Sequence, residues 1–175
     1  MWLCLQLFYF VAAHALNNLL QRKELCNWSK GIQIRYNISH FEQWVQDQHI
    51  SVPDVDIIDS MQPLIQVSRL LQVKKKKDTA EDACAMCSRL TKAQVIHVLN
   101  TYEEPGRNSE PDTISSSFIE SMERELLKRD ETDPDRLMMD TRLAYIVHFP
   151  FIPSSVRLED IDIPPMINLS MLRKV

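Results

Sequence analysis

Glycine is nearly absent from this chain, with Gly31 and Gly106 the two glycines in 175 residues. Primed hairpin turns, G-x-G-x-x-G loops and G-x-x-x-x-G-K-[ST] phosphate cradles all need closely placed glycines, because glycine alone adopts positive φ without steric cost. Two glycines 75 positions apart can build none of the phosphate-binding loops. Nucleotide-binding α/β enzymes are thereby excluded, and glycine-dependent sheets are disfavoured. A helical chain is left, and 45% hydrophobic residues give it enough to bury. The formal net charge of −4 lacks the basic excess with which nucleic-acid binders neutralise phosphates, so no nucleic-acid partner is expected.

Periodicity supports the helical reading as far as about residue 130. Leu5, Phe8, Ala12, Ala15, Leu16, Leu19 and Leu20 recur at three- and four-residue steps, a broad apolar stripe followed by Arg22 and Lys23, cations suited to a helix C-terminus. A second helix is expected over about 30–48, with Ile34, Ile38, Phe41 and Val45 on one face. A third opens near Pro53 and Asp54, and Pro63 must either kink it or move its start downstream. Thr91 with Gln94, and Ser117 with Glu120, have the spacing of capping boxes ahead of two shorter helices.

Five of the nine prolines, Pro134, Pro150, Pro153, Pro164 and Pro165, fall in the last quarter of the chain. From about 145 to 175 apolar residues such as Phe149, Phe151 and Ile161 alternate with them. That pattern predicts an extended strap packed back on an all-α helical bundle.

The N-terminus admits a competing interpretation. Residues 1–15 are apolar, end in Ala13-x-Ala15, and resemble a signal peptide. Sequons at Asn27, Asn37 and Asn168, with four cysteines, would complete a secreted, glycosylated, disulfide-containing protein. Against this, no basic residue precedes the apolar stretch, and Gln6, His14, Asn17 and Asn18 interrupt it. No transmembrane segment is expected, since a span needs about 20 predominantly apolar residues.

Few motifs point to chemistry. Cys84-x-x-Cys87 has the spacing of half a zinc knuckle or of a redox pair, but the sequence supplies neither a second half-site nor the strand that precedes a redox motif. Two thiols on one helical face are the plainer interpretation, and no metal, cofactor or catalytic residue is proposed. Lys74, Lys75, Lys76 and Lys77 form the one dense basic run. It is either a solvated helix end or an electrostatic docking spot for an acidic protein or anionic lipid.

The strings QLFYFVAAHALNNLLQRKELCNWSKGIQIRYNISHFEQWV, MQPLIQVSRLLQVKKKKD, DACAMCSRLTKAQVIHVLNTY, ISSSFIESMERELLKRD and FPFIPSS resemble, in order and spacing, the C-terminal globular tail of class V myosins. The resemblance covers essentially the whole chain and corresponds to the later part of the dilute-type cargo-binding domain. It implies a non-enzymatic module without cofactors, cytoplasmic and on vesicles, that couples an actin motor to Rab-family small GTPases and cargo adaptors. Actin would be met only through a motor domain outside these residues. As part of a larger domain, the first helix would expose Phe8 and Leu16 when isolated.

Two sets of site residues carry over from the resemblance. The Tyr of RYN and the Gln of LLQVKK, here Tyr36 and Gln72, would lie on a Rab-docking surface. A basic residue of each RKDMC-like and IVKVLN-like string would dock the motor head in an autoinhibited state; here these positions are Lys23 and His97. A histidine with the ordinary pKa of about 6.5 is mostly neutral at pH 7, so any such docking is expected to strengthen toward pH ~6.

Overall fold

The structure is a computed structural model, and it describes residues 2–49, 57–75, 79–103, 114–129 and 132–142. Six α-helices occur among them and no strand: α1 (Trp2–Gln21), α2 (Trp28–Asp47), α3 (Gln62–Gln72), α4 (Ala80–Met86), α5 (Lys92–Thr101) and α6 (Ser116–Leu126). Short 3-10 turns precede α2, over Lys23–Leu25, and α3, over Ile57–Met61. The protein is thus an all-α bundle, as expected.

α3 is the axis of the core. Leu64, Ile65, Val67, Leu70 and Leu71 are buried, and so are the polar Gln66 and Ser68. Pro63 sits in its first turn, where a missing N–H costs nothing, so the proline begins the helix instead of kinking it. Buried Ser68 donates its hydroxyl proton to the Ile65 carbonyl at 2.7 Å and so leaves no unsatisfied polar atom on that side.

α1 lies against α3, α5 and the Ile57–Met61 turn. Its buried face comprises Leu5, Phe8, Tyr9, Ala12, Ala13, Leu16, Leu19 and Leu20. The expectation that Phe8 and Leu16 are exposed is therefore incorrect; Leu7 and Phe10 are the large apolar side chains that α1 presents to solvent. Arg22 and Lys23 lie just past the helix end and pair with Glu24 and Glu103. Two carbonyls of the last turn are instead met by side chains, Leu20 by His97 Nε2 at 2.7 Å and Leu19 by Cys26 Sγ at 3.5 Å.

The most extensive helix contact joins α2 to α3, and glycine makes it close. A Cβ placed on Gly31 would stand 2.9 Å from both the Leu71 Cβ and the Ser68 carbonyl oxygen. The scarcity of glycine in the chain thus has a counterpart: one of its two glycines is spent on a backbone approach that no side chain permits. Asn27 caps α2, its Oδ1 accepting from the Lys30 N–H at 2.9 Å.

α4 and α5 pack on α6. The Thr91–Gln94 capping box forms as expected. The Ser117–Glu120 box does not, because Ser115 takes the cap position and accepts from the Phe118 N–H, extending α6 by two residues in front of buried Phe118, Met122 and Leu126.

Residues 132–142 form an irregular return segment across the bundle. Tyr9 donates its phenolic proton to the Asp140 carbonyl at 2.8 Å, and Asn17 makes two hydrogen bonds with the Met139 backbone. Gln94 Nε2 donates to the Leu137 carbonyl at 2.9 Å. Extended packing on the helices thus occurs upstream of the expected strap, and the strap itself, 145–175, lies outside the described residues.

Candidate partner-binding surfaces

Exposed aromatic and aliphatic residues concentrate on α2. The helix turns Gly31, Ile34, Ile38, Phe41 and Val45 inward, and this leaves Trp28, Ile32 and Tyr36, spaced by four, along one exposed flank. Their exposures of 48%, 40% and 62% mark a row that the fold does not need to bury. Tyr36 is the most exposed of the three, and its ring meets His40 edge-on with centroids 4.5 Å apart. Tyr36 is a rigid amphipathic side chain in solvent, the property that makes tyrosine a frequent anchor at interfaces. Trp44, on the opposite flank, leans on Phe8 with centroids 6.2 Å apart.

Gln72 is the last residue of α3 and lies against the same helix, its Cγ 3.1 Å from the Cβ position of Gly31. Its Nε2 donates to the Ser68 carbonyl at 2.9 Å. Both expected Rab-surface residues are therefore brought to the α2–α3 pair, but no hydrogen bond joins them among the described residues. Tyr36 is exposed to contact, whereas half-buried Gln72 commits one amide N–H to its own helix and keeps its second N–H and its Oε1 for a partner. The row of Trp28 and Ile32 beside Tyr36 was missed from sequence, although their four-residue spacing is written there.

Lys23 and His97 are brought to one corner, the C-terminal end of α1. Lys23 Nζ is 3.9 Å from Glu103, in a largely exposed pair. His97 is half-buried, and because a carbonyl oxygen can only accept, its Nε2 carries the proton that binds Leu20. His97 is thus a tether between α5 and α1.

The basic run does not act as four equivalent charges. Lys75 folds back, its Nζ donating to the Leu71 and Val73 carbonyls at 3.1 and 3.0 Å and lying 3.7 Å from the centroid of the Tyr102 ring. Lys74 is exposed, with its carbonyl accepting from Thr79 Oγ1. Lys76 and Lys77 lie outside the described residues.

The cysteines carry no assembled chemistry. Cys4, Cys26, Cys84 and Cys87 are free thiols. Burial pushes the Cys87 thiol up to about 12, with nearby Arg129 opposing the rise, and burial likewise raises Cys26. Among the described residues no group of three His, Cys, Asp or Glu side chains is placed to hold a metal ion. No described helix is long and apolar enough to cross a membrane.

These facts bear on the secreted alternative. Cleavage after Ala15 would remove Leu5, Phe8, Tyr9, Ala12 and Ala13 from the core. Asn27 of the first sequon has both ends of its amide engaged, capping α2 through Oδ1 and donating to the Glu24 carbonyl through Nδ2.

Residues 3–105 match the DIL domain family, and the chain belongs to that family. It is 44% identical over 171 residues to unconventional myosin-Va of Homo sapiens, an alignment that covers 97% of this chain and 9% of that protein. Unconventional myosin-Vb of Rattus norvegicus is 39% identical and unconventional myosin-Vc of Homo sapiens 37% identical, each over 171 residues, again 97% of this chain and 9% and 10% of those proteins. The chain therefore spans about a tenth of the length of the curated relatives it matches. The likeness to class V myosin tails expected from the sequence strings is confirmed.

Proposed function

We propose that this chain is a cargo- and adaptor-binding module of a class V myosin-like, actin-based motor, forming the later part of its globular tail. It works by docking partners, without chemistry of its own, in the cytoplasm and on vesicle or organelle surfaces. A Rab-family small GTPase is the partner assigned to α2, with the row Trp28, Ile32 and Tyr36 as the apolar contact and Gln72 at its edge. The observation that carries this reading is the exposure of that row in a chain of the DIL domain family. Hot spots at interfaces are enriched in Trp and Tyr because such side chains cover a large area at small entropic cost. Docking of the motor head through Lys23 and His97 stays a separate expectation: Lys23 is largely exposed in a long pair with Glu103, while His97 Nε2 would first have to leave the Leu20 carbonyl.

The test is a pull-down of a panel of GTP-loaded Rab GTPases with the wild-type chain, Tyr36→Ala and Gln72→Ala. At least one Rab should be retained by the wild type, and Tyr36→Ala should cost at least about 2 kcal/mol of binding, roughly thirtyfold. Gln72→Ala should cost less, because the amide already spends a donor within α3. Retention of no Rab, or equal retention by Tyr36→Ala, rejects the assignment.

A further inference from the structure

A second surface lies away from the α2 row, around the turn between α4 and α5. Here Ser88, Arg89, Thr91, Arg129, Thr132 and Arg136 line a cavity of about 660 Å³ together with Leu90 and Asp133. Three arginines from three parts of the chain converge on it: one from the turn, one from beyond the end of α6, one from the return segment. Counting Asp133, the lining carries 3 − 1 = +2 charges in a chain whose net charge is −4.

The groove is built and held from within. Gln66, 5% exposed in the middle of α3, accepts from the Arg89 N–H at 2.7 Å and donates to Ser88 Oγ at 3.1 Å, fixing the turn from below. Arg129 donates to the Cys87 carbonyl at 2.9 Å and also to that of Cys84, so its guanidinium closes the C-terminus of α4 without any loss of charge. Thr91 Oγ1 donates to the Arg136 carbonyl at 2.6 Å, which seats the return segment beside the N-terminus of α5.

Two of the cations remain available to a ligand. Arg89 gives only Nη2 to Asp59, in a pair whose side chains are each more than half exposed; such pairs contribute little and exchange readily. Among the described residues no partner holds the Arg136 guanidinium. Two planar guanidinium forks and the hydroxyls of Ser88 and Thr132 suit a compact dianion with several acceptor oxygens better than one carboxylate. A nucleotide is a poor match, because no aromatic ring lines the groove to stack a base. An anionic bilayer is disfavoured as well: Asp133 lines the groove and Asp59 pairs with Arg89 beside it, two carboxylates that a flat anionic surface would meet together with the arginines.

We propose that this groove binds a phosphorylated serine or threonine of a protein partner, with Arg89 and Arg136 as the primary ligands of the phosphate. A phosphoserine carries about −1.5 to −2 charges at neutral pH and three acceptor oxygens, enough to engage the Arg89 and Arg136 guanidinium groups together. Docking here would make one class of partner conditional on its phosphorylation, independently of the α2 row.

The probe is a pair of degenerate peptide libraries, one with a fixed central phosphoserine and one with serine, presented to the full 175-residue chain. The phosphorylated pool should be retained at least about tenfold more strongly. Arg136→Ala and Arg89→Gln should each remove most of that difference, and Arg136→Lys should restore part of it. Both side chains are exposed, so unchanged melting temperatures check that the variants fold. Tyr36→Ala should leave the ratio untouched, which separates this site from the Rab assignment. Equal retention of the two pools, or a ratio indifferent to Arg136→Ala and Arg89→Gln, overturns the proposal. So does Arg136-dependent binding to vesicles containing phosphatidylinositol phosphates without any preference between the peptide pools.

Discussion

The two longest helices, α1 and α2, have twenty residues each and opposite strategies. α1 contains no charged residue and buries eight side chains, from Leu5 to Leu20. α2 carries Lys30, Arg35, Glu42 and Asp47 and fully buries only Gly31 and Ile38, yet it holds the larger share of exposed aromatic rings. The apolar helix is thus the internal one, and the mixed helix presents Trp28, Tyr36 and Trp44. Total hydrophobicity tells which helix is scaffold. It does not tell which helix meets a partner, because a binding row needs only three or four large side chains on a helix whose other face is anchored.

That contrast can be broken most severely at Phe8. The ring is buried on α1 and meets Phe41 edge-on with centroids 5.6 Å apart, besides its contact with Trp44. Truncation to alanine removes a buried aromatic and leaves a void, so Phe8→Ala should cost about 3–5 kcal/mol in urea unfolding. A loss below about 1 kcal/mol would show that the first half of α1 is not part of the scaffold.

Gly31→Ala comes next. It anchors α2 by backbone proximity, not by side-chain burial, and an added methyl must push aside the Leu71 Cβ and a main-chain oxygen that cannot rotate away. Alanine favours the helix intrinsically by about 1 kcal/mol, but overpacking costs about 1–3 kcal/mol and additionally displaces α2 from α3. The expected outcome is net destabilisation, read from the same unfolding curves, together with weaker Rab retention. Stabilisation would mean that α2 and α3 separate easily and that the glycine serves some other end.

How much of this was legible beforehand depended on the range of the interaction. The stripe of α1, the inward face of α2 and the Thr91 box follow from residues within two turns of each other, and spacing alone conveys them, whereas Pro63 left a kink and a later start equally open. The start of α6 was misplaced by two residues because three consecutive serines offer the same cap chemistry, and the choice among them is made by the N–H of Phe118. Lys75 reads as one of four equivalent lysines until Tyr102, from another helix end, lies beneath it. The arginine groove was invisible for the same reason: Arg89 is about forty residues from Arg129 and Arg136, and the three meet only through Gln66, Thr91 and the carbonyls at the end of α4.

Trp28 gives the smallest effect on stability and the sharpest test of what α2 is for. It stands at the start of the helix with nearly half of its surface in water. Alanine is the best helix former, and the cap at Asn27 is untouched. Trp28→Ala should therefore shift unfolding by no more than about 0.5 kcal/mol, the usual range for surface substitutions. In the Rab pull-down the same variant should lose binding alongside Tyr36→Ala, because the two rings lie on one flank eight residues apart. An unchanged melting curve with weakened binding assigns Trp28 to a partner. A large loss of stability would place it with Phe8 in the scaffold, and the division between the two helices would fail at the residue where α2 begins.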